Sequence, residues 1–156
     1  MRRWIATAIL VGAVGACGPL CGNGKLNLSN AHIDSSFTCP AGSDQYNYAV
    51  KGALDADNQT SSTVTIKSMA LDSTVIAING SWGASVGSKG NTPIAVFSPK
   101  TVSSGSKATI QYSSPWYCTD PAGGAGSYAD FAIVLTLVTT AGTLKVSTNH
   151  HRLKMG

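Results

Sequence analysis

Apolar and polar residues alternate along most of this chain with a period of two, the pattern of half-buried β-strands. Leu26 and Leu28, with Ile33 beyond them, predict a first edge strand. Tyr46, Tyr48, Val50 and Leu54 follow at even spacing with Asn47 and Lys51 on the opposite face, and Asp55-Ala56-Asp57-Asn58 then reads as a turn. Val64 and Ile66 alternate with Thr63, Thr65 and Lys67. Leu71-Asp72-Ser73-Thr74 predicts a reversal or a bulge before Val75-Ile76-Ala77-Ile78, and Asn79-Gly80 closes that run. A polar, Gly-rich stretch over residues 81–92 leads to Ile94-Ala95-Val96-Phe97. Ala108, Ile110 and Tyr112 share one face of the next segment, whereas residues 131–138 are apolar on both faces and predict a central strand. Thr139-Thr140-Ala141-Gly142 predicts a hairpin turn into Leu144, Val146 and Thr148.

Seven to eight strands result, and no part of the chain beyond residue 25 carries a 3.6-residue apolar period long enough for a helix. The fold class predicted is all-β. A two-sheet antiparallel sandwich is favoured over a small barrel, because the strands are short and irregularly linked and the 131–138 strand is two-sided. Residues 98–110, with Pro99, Val102, a turn Gly105 and the Thr109-Ile110 strand, resemble a recurring segment of bacterial Ig-like extracellular domains. That resemblance implies an Ig-like sandwich and no catalytic motif. The Cys-Trp-Cys spacing of antibody domains is missing.

The N-terminus changes the picture from a fold to a location. Met1-Arg2-Arg3 precedes an apolar run of about 12 residues, too short for the roughly 20 that cross a bilayer as a helix. Residues 1–16 therefore read as a secretory signal segment. Val14-Gly15-Ala16-Cys17 resembles a bacterial lipobox, which implies lipidation of Cys17 and a membrane-anchored mature chain; the alternative is ordinary signal-peptidase cleavage after Ala16. Residues 17–25 have the composition of a flexible tether, residues 26–149 form the sandwich domain, and residues 150–156 read as a basic tail. Taken together, the leader and the strand pattern resemble small bacterial extracellular Ig-like lipoproteins.

Export makes disulfides available to the four cysteines. Cys39 and Cys118 are the expected pair, each at the edge of a turn-rich segment flanking a strand. They meet at one end of a sandwich only if residues 63–78 form a single bent strand. If Cys17 is acylated, Cys21 is left free; if it is not, Cys21 can pair with Cys17.

Charge and composition mainly exclude. All seven acidic residues are Asp, so Glu-dependent zinc proteases, Glu-closed EF-hands and paired-Glu glycosidases are ruled out. The formal charge of +4 includes Arg2 and Arg3; without the leader nine bases face seven acids, and the excess falls to +2. With no basic cluster beyond Arg152 and Lys154, nucleic acid is not an expected partner. Gly123-Gly124-Ala125-Gly126 lacks the Lys-Ser/Thr of a phosphate loop, and there is no Gly-x-Ser-x-Gly elbow, so no enzyme activity and no cofactor is expected. His32, His150, His151, Cys118 and Met155 make a copper site conceivable, yet Cys118 and His150 are far apart in sequence, and solvated histidines at a chain end are the preferred reading. Asn27, Asn58 and Asn79 begin Asn-x-Ser/Thr triplets, attributed to chance in a chain this rich in Ser and Thr.

The candidate binding residues are loop aromatics: Trp82, Trp116 and Tyr117. Such side chains can stack on a sugar or anchor a protein partner, or they can cap the sandwich core and pack on the disulfide. The expected function is an exported, lipid-anchored binding or structural module at the cell envelope. The alternative is a carbohydrate-binding module using these aromatics.

Overall fold

The computed structural model describes residues 24–40, 46–118 and 124–156. The signal segment, Cys17, Cys21, most of the proposed tether and the Asp120-Pro121 turn lie outside the described residues. The described residues form eleven strands: β1 (Leu26–Ile33), β2 (Ser36–Cys39), β3 (Tyr46–Asn58), β4 (Val64–Asn79), β5 (Lys89–Ile94), β6 (Val96–Ser98), β7 (Thr101–Val102), β8 (Lys107–Cys118), β9 (Tyr128–Thr139), β10 (Gly142–Ser147) and β11 (His151–Met155). One sheet has the order β1-β3-β8-β6; the other runs β2-β11-β9-β4-β5, with β10 on β9 and β7 on β4. Their facing sides form an all-β sandwich, as the alternation predicted.

Its core is built from the even-spaced apolar residues. Val50, Leu54, Ile110, Leu71, Leu135 and Leu137 are all at most 1% exposed, and Ile66 and Ile133 only 2%. Burying a side chain of this size contributes about 1.5–3 kcal/mol, which is why the period-two pattern fixes the faces so firmly. The segment from Val64 to Asn79 is one strand paired along β9, with register shifts at Ile66/Ser68 and Val75/Ala77. Leu71 to Thr74 is thus neither a reversal nor the site of the bulges. The bent single strand that the Cys39–Cys118 pairing required is present.

Several expectations are corrected. Residues 150–156 are not a basic tail: Leu153 and Met155 sit at 3% and 7% exposure, and His151 at 0%. The alternation His151-Leu153-Met155 against Arg152-Lys154 is a strand pattern too short to stand out beside a chain end. β10 and β11 lie end to end along the same side of β9, with Thr148, Asn149 and His150 in the break. In that break the Asn149 amide donates to the Ile33 carbonyl and accepts from the Ile33 N–H, both at 2.9 Å, tying β1 to the opposite sheet. The sandwich is also not wholly antiparallel, because β2 pairs parallel to β11.

Strand β3 runs through the supposed turn to Asn58, since Asp55 and Asp57 face outward while Ala56 and Asn58 are fully buried. Asn58 donates through Nδ2 to the carbonyls of Val102 and Ser62 at 2.9 Å and accepts from the Thr60 N–H at Oδ1. Its amide is committed to the fold. The polar stretch 81–92 contains the start of β5, and the apolar run at 94–97 is split: Ile94 ends β5 in one sheet and Val96 begins β6 in the other. Strand β9 is central, but its second face is open to solvent, with Val138 38% exposed.

Candidate functional site

Strand β6 pairs with β8 only over Gln111, Tyr112 and Ser113. Beyond it, among the described residues, no strand pairs with that side of β8 from Ser114 to Cys118. Pro115 sits in this stretch, opposite Ala49 in a β3–β8 register that continues unbroken. A proline has no N–H to give, so its nitrogen must face away from β3, toward the open edge. Pro93 is placed likewise on β5, opposite Ala70 and at the edge of its sheet. Strand β5 packs against β8 across the sandwich. The two proline-bearing edges frame a cleft at one end of the molecule.

The three aromatics expected to bind converge here. Trp82, from the connection between β4 and β5, Trp116 and Tyr117 from β8, and Phe131 from β9 line a cavity of about 240 Å³, with Ser73 and Thr92 supplying hydroxyls. Trp82 and Trp116 are half-buried, whereas Tyr117 is 51% exposed. Strand β5 presents Gly90 to the cleft, and a β-carbon there would lie 2.9 Å from the Ser73 hydroxyl. Among the described residues that hydroxyl reaches only the Gly90 carbonyl, at 3.5 Å, a weak bond that a ligand hydroxyl can replace.

The wall of the cleft is held from behind by an aromatic stack that sequence reasoning did not single out. Trp116 packs edge-on to Phe131 at 5.0 Å and to His151 at 4.9 Å between centroids. Tyr48 stacks on Phe37 at 3.9 Å. The Tyr48 hydroxyl lies 3.1 Å from His151 Nε2, and His151 Nδ1 lies 2.6 Å from the Asp34 carbonyl. A carbonyl can only accept, so Nδ1 carries the proton and Nε2 accepts from Tyr48. Burial lowers the His151 pKa below its ordinary 6.5, against the smaller raising effect of its bond to Asp34, and raises that of the Tyr48 phenol well above the usual tyrosine range. Both groups are therefore neutral at pH 7 and act as a hydrogen-bonded wedge between the sheets.

Beside the stack lies the Cys39–Cys118 disulfide, with Cα atoms 5.8 Å apart and both residues wholly buried. It joins β2 of one sheet to β8 of the other. Leu153 and Met155 cluster with it, and Trp82 packs against that cluster. Trp116 and Trp82 thus have one side in the core or on the disulfide and the other on the cleft. The copper reading loses its thiolate, because Cys118 is half of a cystine, and both ring nitrogens of His151 are engaged in the hydrogen bonds above. His32 lies apart on β1, with Nδ1 3.2 Å from the Asn30 carbonyl.

No protein-family model matches the chain. No curated protein matches it either. Among solved structures, it is similar to the structural-genomics target SoR45 (7% identity, 84% of this chain and 87% of that chain covered, TM-score 0.40). It is also similar to PapD-like domain 7 of human CEP192 (14%, 99% and 98%, 0.35). AggA, the major subunit of aggregative adherence fimbriae type I from Escherichia coli, is a further likeness (9%, 88% and 98%, 0.32). Likenesses this loose carry no argument about function. The class that the chain's own sheets define is a two-sheet β-sandwich module clamped by the Cys39–Cys118 disulfide at its cleft end.

Proposed function

We propose that this chain is an exported β-sandwich module, held at the cell envelope through Cys17, that acts by binding and not by catalysis. The observation that carries the reading is the buried Cys39–Cys118 cystine beside the aromatic cleft. A fully buried disulfide joining two sheets belongs to a protein that folds where thiols oxidise. Next to it, half-buried aromatics around a preformed hollow are the surface type from which binding sites are made. Residues 17–25, nine in number, could hold the sandwich up to about 30 Å from an acylated Cys17 when fully extended.

The test has two readouts in the native host: mass spectrometry of the mature N-terminus, and partition of the chain between membrane and soluble fractions. A lipidated Cys17 in the membrane fraction is expected. A chain found in the cytoplasm with free Cys39 and Cys118 thiols would overturn the reading. Tyr117→Ala, which removes an exposed ring, should leave both localisation and folding unchanged while weakening capture of envelope material about tenfold.

A further inference from the structure

We infer that the cleft takes an uncharged saccharide, one pyranose ring of which seats on its aromatic lining with its hydroxyls directed at Ser73 and Thr92. This rests on the binding reading above and names the ligand class for the same site.

Four observations carry it. First, of the described residues that line the cleft none is charged at neutral pH, although Asp72 and Lys89 are direct neighbours of Ser73 and Gly90 in sequence. Asp72 is occupied on the outer face instead, accepting from Thr136 at 2.7 Å and from Asn91. An anionic or cationic ligand would enter this hollow without a counter-charge and lose its hydration. Second, the lining is amphipathic, divided between the aromatic residues Trp82, Trp116, Tyr117 and Phe131 and the hydroxyl-bearing Ser73 and Thr92. A pyranose has that division, with an apolar C–H face and a rim of hydroxyls that both donate and accept, and the weakly engaged Ser73 hydroxyl can do the same.

Third, the size is that of a sugar unit. About 240 Å³ falls below the roughly 300–1,000 Å³ of drug-sized sites, and the exposed half of Tyr117 extends the platform for a neighbouring ring outside the hollow. Fourth, the framing edges disfavour the main competitor, an extended peptide added as a strand. Pro115 and Pro93 each remove a donor from the edge such a peptide would pair with, and these are the two edges that reach the cleft.

The purified protein is titrated with neutral hexasaccharides of glucose, mannose, xylose and N-acetylglucosamine, with hexagalacturonate as the charged counterpart and N-acetylleucinamide as an apolar amide probe. Binding is followed by tryptophan fluorescence and by the ¹H–¹⁵N resonances of the Trp82 and Trp116 indoles. The expected result is that at least one neutral hexasaccharide shifts both indoles. Tyr117→Ala should weaken that binding about tenfold, the usual effect of truncating an anchor residue. Tyr46→Ala, at a ring 45% exposed but outside the cleft, should leave it unchanged.

Should hexagalacturonate alone bind, or should the shifts avoid both indoles, the neutral-saccharide assignment fails while a binding module remains. If only N-acetylleucinamide moves the indoles, the assignment fails in favour of a protein side chain as the occupant. If no probe binds, the neutral-saccharide assignment fails, and if Tyr117→Ala also leaves envelope capture intact, the cleft as binding site falls with it.

Discussion

Replacing both Cys39 and Cys118 by Ala separates the contribution of the covalent clamp from that of the packing around it. The bridge closes a loop with a sequence separation of 79. In the chain-entropy description a loop of that length restricts the unfolded chain by about 4.5 kcal/mol at 25 °C. Both half-cystines are fully buried against Leu153 and Met155, so deleting the two sulfurs should cost about 1 kcal/mol each in lost packing. The double variant should therefore lose roughly 5–7 kcal/mol, which is most of the stability of an ordinary domain. Reducing the wild-type protein removes the cross-link without removing the sulfurs and should lose only the first part.

Urea denaturation, followed separately by tryptophan fluorescence and by circular dichroism, measures all three forms. Amide exchange locates the change: β2, four residues long and paired in parallel to β11, should lose protection first. A loss below about 1 kcal/mol on reduction would refute the reasoning. It would mean that the stack of Phe37, Tyr48, His151 and Trp116 already holds the sheets together at this end.

Other perturbations follow from single side chains. Asn58→Ala removes the amide that joins the β3–β4 turn to Val102 and should cost about 2–3 kcal/mol by chemical denaturation, since buried carbonyls lose their donors. Ser114 has a fully buried hydroxyl for which the described residues offer no partner, so Ser114→Ala should be neutral or raise stability by about 1 kcal/mol. The neutral, buried His151 has a folded-state pKa below its unfolded value of 6.5, so its contribution is intact above pH 6.5 and declines as the pH falls below that value. His151→Gln should flatten that part of a melting-temperature profile between pH 7 and 5. Arg152 grips Asp130 through two bonds of 2.6 and 2.7 Å, and this holds the Asp130 carboxyl below the usual range. Arg152→Gln should make the protein more tolerant of acid relative to its own stability at pH 7, because less carboxylate stabilisation is then left to lose as the pH falls toward 3.

The alternation of apolar side chains by itself determined the class of fold, the solvent and core faces of β3 and β8, the hairpin at Gly142 and the central place of β9, because a one-residue slip in a two-sheet protein exposes every buried side chain of a strand; in β1 Ile33 reaches the core only through a register shift between Ser29 and His32. The absence of Glu in the same sequence excluded Glu-dependent reaction classes, and Trp82, Trp116 and Tyr117 stood out as loop aromatics, although Trp116 and Tyr117 belong to strand β8. Only the tertiary structure decided that they share one cleft, since residues 34 positions apart meet there solely because β5 and β8 oppose each other across the sandwich. It alone turned the chain's end into a buried strand. Five residues are too few to show a period convincingly, and His151 is polar until Tyr48 and the Asp34 carbonyl satisfy both of its ring nitrogens. Local sequence carries the periodicity of each strand; which strands become neighbours, and which polar groups find partners inside, is settled by long-range packing.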